Sequence, residues 1–69
     1  MEMKITFDKE ADAVYIYLEG ISQGEVEKTI SLNNSINIDL NKEDKVLGIE
    51  VLDASKNLPL STLKSAIPI

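Results

Sequence analysis

Six apolar residues in succession, Ala13 to Leu18 (AVYIYL), constrain this chain more than any other stretch. A half-buried strand alternates apolar with polar side chains, because successive residues point to opposite faces of a sheet. Here both faces are apolar. One face carries Val14, Ile16 and Leu18; the other carries Ala13, Tyr15 and Tyr17. Such a strand belongs in the middle of a sheet, with something packed on each side.

The neighbouring segments supply that sheet. Met3, Ile5 and Phe7 alternate with Lys4 and Thr6, and periodicity predicts strands over 3–7, 13–18, 25–32, 35–40 and 46–52. Asp8 to Asp12 reads as an acidic turn, 19–24 as a glycine-containing loop, Asn33-Asn34 as a tight turn and 41–44 as a polar turn. In the third strand Lys28 falls on the side of Val26, Ile30 and Leu32, which predicts an edge strand with its ammonium in water. Asp53 is expected to cap a helical turn over 54–56. A helix is expected over 59–66, with Leu60, Leu63 and Ile67 on one stripe and Pro68 stopping it. The fold class expected is α+β: a small antiparallel meander of four to five strands with one short C-terminal helix, forming a single domain over 1–69.

Parity assigns Val14/Ile16/Leu18, Ile36/Ile38/Leu40 and Leu47/Ile49/Val51 to one core-facing side. Pairing the last two strands with Leu40 opposite Lys45 places Ile38 against Leu47 and Ile36 against Ile49. It also sets Asp39 across from Val46, and Asn37 across from Gly48. A glycine inside a strand is costly unless something approaches closely, and a tyrosine ring fits that gap. With 69 residues, no cysteine and no histidine, neither a disulfide nor a Cys/His zinc site can staple the fold, so a partner subunit is expected to contribute stability. The expectation is a homodimer whose interface uses Ala13, Tyr15, Tyr17 and Gly48.

The same composition narrows the chemistry. Twelve acidic against seven basic residues give a net charge of −5, without the basic stripe that draws proteins to phosphate backbones, so neither nucleic acid nor membrane is expected as a partner. The start of the chain lacks the pattern of a signal peptide, and the longest apolar run is far short of the roughly 20 residues that span a bilayer; a cytoplasmic location is expected. Asp8, Glu10, Asp12 and Glu19 have the charge spacing of an EF-hand loop. Ala13 occupies the position that needs glycine, however, and a strand claims the remainder, so these acids are weak metal candidates. Asp39 and Glu50 share a face but have no histidine or thiol beside them. Ser55 and Lys56 have no evident activating base, and Gly20, Gly24 and Gly48 are isolated rather than a phosphate loop. No cofactor and no catalytic residue are expected. The leading function is a non-enzymatic self-associating or partner-binding module. The alternative is a carboxylate-based metal-dependent enzyme or small-ligand-binding protein using Asp8, Glu10, Asp12, or Asp39 and Glu50.

Two stretches, ITFDKEADAVYIYL and INIDLNKEDKVLGIEVLDAS, closely resemble a small prokaryotic family known as domain of unknown function 2283. The matching residues are Phe7, Asp8, Glu10, Ala11, Asp12, Ala13, Tyr15, Ile16 and Leu18, then Ile36, Ile38 and Asp39, then Gly48, Ile49, Glu50, Leu52, Asp53, Ala54 and Ser55. The resemblance covers about three-quarters of the chain. It departs at Asn41 to Lys45, where relatives usually carry a glycine. It implies a small β-rich fold with no assigned activity, and an antitoxin-like or partner-binding role.

Overall fold

Residues 3–69 are described in a computed structural model, as a six-stranded sheet and two short helices. The strands are β1 (Lys4–Asp8), β2 (Ala13–Tyr17), β3 (Lys28–Ser31), β4 (Ile36–Leu40), β5 (Val46–Leu52) and β6 (Ile67–Pro68). Between β5 and β6 lie α1 (Ala54–Asn57) and α2 (Leu60–Ser65). The fold is a small α+β one, but the sheet is mixed and has one strand more than periodicity predicts. β6 runs parallel to β1, with Thr6 opposite Ile67 and Phe7 opposite Pro68. Its two residues are too few to leave a pattern in the sequence.

The sheet order, β3-β4-β5-β2-β1-β6, corrects the expected meander. β5 lies between β2 and β4, so the third strand starts a second hairpin at the far edge instead of adding to the first. The connection from β2 to β3 is tied at both ends to this sheet: Leu18 N–H donates to the Leu47 carbonyl, and Glu27 N–H to that of Leu40. β2 is therefore central, as its unbroken apolar run requires. β3 is an exposed edge, and Lys28 pairs there with Asp44 at 2.7 Å. The strand is shorter than the expected 25–32, and Ile30 and Leu32 are exposed.

The expected register between β4 and β5 is two residues out. Ile36 faces Val51, Asn37 faces Glu50, Ile38 faces Ile49 and Asp39 faces Gly48, with an irregularity between Asp39 and Leu40 that sets Leu40 opposite Val46. The turn contributes one residue of the shift and the irregularity at Asp39/Leu40 the other. Asn41 Oδ1 accepts both Glu43 N–H and Lys45 N–H, and Asp44 adopts φ 64°. This Asx-type loop uses residues that a simple hairpin count gives to pairing. A shift of two preserves the faces, so the assignment of side chains to the core survives.

One face packs on the helices. Val14, Val51 and Ala54 are buried together, with Ile5, Phe7, Ile16, Ile36, Ile49, Leu58 and Leu63 against them. Leu40 and Leu47 are buried as well. The expected stripe on the second helix holds only in Leu63: Leu60 is 65% exposed, and Ile67 leaves the helix for β6 at 50%. Pro68 does not stop the helix, which ends at Ser65; it pairs in the sheet. Among the described residues no helix is long and apolar enough to cross a membrane.

Candidate functional site

The face opposite the helices gathers the polar groups. Register places Ser31, Asn37, Glu50, Tyr15 and Thr6 in one row across five strands, and Thr29, Asp39, Gly48, Tyr17 and Lys4 in the next. Two hydrogen-bonded chains run through these rows. Tyr15 Oη donates to Asp39 Oδ2 at 2.5 Å, and Thr29 Oγ1 donates to Asp39 Oδ1 at 2.6 Å. Ser31 Oγ donates to Asn37 Oδ1 at 2.6 Å, and Asn37 Nδ2 donates to Glu50 Oε1 at 3.0 Å.

Gly48 makes the first chain possible. The Tyr15 ring lies flat across it, so a Cβ built on Gly48 would come within 2.6 Å of the ring's Cζ. No real Cβ tolerates that approach. The gap that the sequence leaves at Gly48 is thus filled by a tyrosine of the same chain. Tyr17 packs edge-on against Tyr15, with ring centroids 4.6 Å apart, and the Lys4 ammonium sits 4.9 Å above the Tyr17 ring.

These contacts hold Tyr15 in its neutral form. Burial raises the hydroxyl's pKa well above the usual tyrosine value, and the hydrogen bond to Asp39 and the charges of Asp39, Tyr17 and Glu50 add to the shift. A tyrosine serving as base or nucleophile at neutral pH needs the opposite shift. The arrangement makes the hydroxyl a fixed donor and both Asp39 oxygens occupied acceptors.

The acidic turn is likewise engaged. Asp8 Oδ1 accepts Glu10 N–H and Ala11 N–H at 3.1 and 3.2 Å, closing its own turn. Asp12, in the left-handed region at φ 52°, reaches across to α1. Its Oδ1 accepts Ser55 N–H at 3.1 Å, its Oδ2 accepts Ser55 Oγ at 2.7 Å, and its carbonyl accepts Ala54 N–H at 2.9 Å. The cap of α1 therefore comes from Asp12, and the expected cap, Asp53, makes no side-chain cap bond and sits instead at φ 50°. Among the described residues no three carboxylate, histidine or cysteine groups converge as a metal site. Asp8, Glu10 and Asp12 share a turn but do not point to one centre. Ser55, read from sequence as lacking a base, has a carboxylate partner, 43 residues away, that only the fold supplies.

Several shallow depressions mark the surface. One, of about 500 Å³, lies between β1 and α2, lined by Phe7, Leu60, Leu63, Ala66 and Pro68 with Lys9 and Lys64 among its polar residues. Another, of about 360 Å³, lies beside Tyr15, Tyr17 and Asp39 under Ile21 and Val26 of the β2–β3 connection.

A family model described as a protein of unknown function, DUF2283, matches residues 4–55. An uncharacterized protein of Methanocaldococcus jannaschii, MJ0789, is 41% identical over 56 residues, which are 81% of this chain and 45% of that one. The chain thus spans less than half the length of that relative. No solved structure matches the chain significantly.

Proposed function

The chain belongs to the DUF2283 family, a family of unknown function, and from that premise we propose that it is a non-enzymatic module that associates with itself or with a protein partner. One observation carries this reading: the molecule is a thin slab with too much surface. Its extents are 33 × 27 × 17 Å and its radius of gyration is 12.0 Å, against about 11 Å for a compact chain of this length. It exposes 4941 Å² at 7.6 kDa, where a monomer of that mass exposes about 4,300 Å². A sheet needs a second layer, and here two short helices cover part of one face. The polar side chains give independent support. Asp8, Asp12, Asp39 and Glu50 are each engaged in holding turns, a helix end or the sheet face, so none of these four stands free for acid–base work. Sedimentation of the purified chain tests the proposal. A dimer or higher species at micromolar concentration is expected; a monomer at about 100 micromolar that also captures no protein from its native host defeats it.

A further inference from the structure

Five isoleucines stand in one straight row on the helix-bearing face, one on each of five adjacent strands. Ile30 of β3 faces Ile38 of β4, Ile38 faces Ile49 of β5, Ile49 faces Ile16 of β2, and Ile16 faces Ile5 of β1. At the usual strand spacing the row is about 19 Å long. The next row toward the helices, Phe7, Val14, Val51 and Ile36, holds the buried pair Val14 and Val51, packed with Ala54 of α1. The isoleucine row does not reach that burial. Ile5, Ile16, Ile38 and Ile49 remain half-buried and Ile30 is 50% exposed, while Met3, beyond Ile5 on the same face, is 68% exposed.

We propose that this row is the seat of a two-fold interface with a second copy of the chain, an assignment that rests on the self-association put forward above. Area argues for a second copy. The surface in excess of a compact monomer is about 600 Å², close to the roughly 800 Å² that each partner buries in a standard interface. Chemistry agrees, because the row contains no charge or hydrogen-bonding side chain, whereas the opposite face has spent its polar groups on internal bonds. A row of identical side chains is also its own complement.

Met3 and Ile30 are exposed, so that substitutions there retain folding. Ile30→Glu and Met3→Glu place a carboxylate in the dry contact, and Tyr17→Glu places one on the other face. In sedimentation equilibrium the first two variants should raise the dimer dissociation constant at least tenfold, and Tyr17→Glu should leave it within about threefold. Circular dichroism confirms the fold of each. A parent dimer that Tyr17→Glu disrupts, and that Ile30→Glu and Met3→Glu do not, overturns the assignment of the face while self-association stands. A parent that is monomeric overturns both.

Discussion

Asp12 and Ser55 are 43 residues apart in sequence, yet two hydrogen bonds join them, one through the backbone N–H and one through the hydroxyl of Ser55. The turn after β1 therefore fixes the start of α1, and through it Ala54, which is fully buried against Val14 and Val51. Removing the carboxylate should cost more than an exposed turn residue normally does. Asp12→Ala is expected to lose about 1–2 kcal/mol, a fall in Tm of roughly 4–16 °C for a domain of this size. Asp12→Asn should lose less, since asparagine tolerates the left-handed backbone and still accepts from Ser55. Thermal melts of the two variants measure the difference.

Gly48 and Tyr15 form a pair that can be tested as one. Gly48→Ala drives a methyl into the ring and should destabilise by about 1–3 kcal/mol. In a Tyr15→Ala background the clash is gone and the added penalty of Gly48→Ala should nearly vanish. A double-mutant cycle in urea reports the coupling. Additive effects would show that the ring does not rest on the glycine in solution.

Alkaline titration should separate Tyr15 from an ordinary tyrosine. Its raised pKa means that the folded state holds the proton more tightly than the unfolded chain. The resulting stabilisation is complete below pH 10 and is lost as the pH climbs from there toward the folded-state pKa. Absorbance at 295 nm should show one phenol ionising late, near or together with unfolding. Tyr15→Phe should remove that phase and flatten the alkaline loss of stability.

Burial predicts a graded response to truncation. Leu47, 2% exposed, should lose about 2–5 kcal/mol on change to alanine. Leu60, 65% exposed, should lose less than about 1 kcal/mol. Ile38→Ala should fall between them in a monomer and approach the Leu47 value if a partner buries the row. Chemical denaturation at two protein concentrations separates these cases.

Metal ions should leave the melting curve unchanged. A ligand at 100 times its dissociation constant adds about 2.7 kcal/mol, which for Ca²⁺, Mg²⁺ or Mn²⁺ would be plain in a thermal scan. The carboxylates of Asp8 and Asp12 are held by backbone and serine donors, so no shift is expected. An upward shift with any of the three would reopen the carboxylate-based reading.

What could be read in the sequence follows from the range of the interaction. The unbroken apolar run of 13–18 and the alternation in 35–40 and 46–52 identify three strands, because both are local properties. The row of isoleucines and the Tyr15–Asp39 bond depend on which strands are neighbours, and the insertion of β5 between β2 and β4 has no local signature. The cap illustrates the limit: Asp53 stands where a helix start expects its cap, but the N–H groups of Ala54 and Ser55 go to Asp12. Gly48 was the exception. A glycine in a strengthening run of β-branched residues marks a close approach, and here the approaching group was in the same chain.

The central position of β5 has a consequence for how the molecule opens. The β1–β2 and β3–β4 hairpins do not pair with each other, and each is joined to the sheet through Val46–Leu52. Either hairpin can detach while the other stays docked, but losing β5 releases both. Amide hydrogen exchange should therefore sort into two outer units that open at different free energies and a middle strand that opens only with the whole molecule. The short β6 and the exposed β3 should exchange first, and the amides of Ile49 and Val51 last.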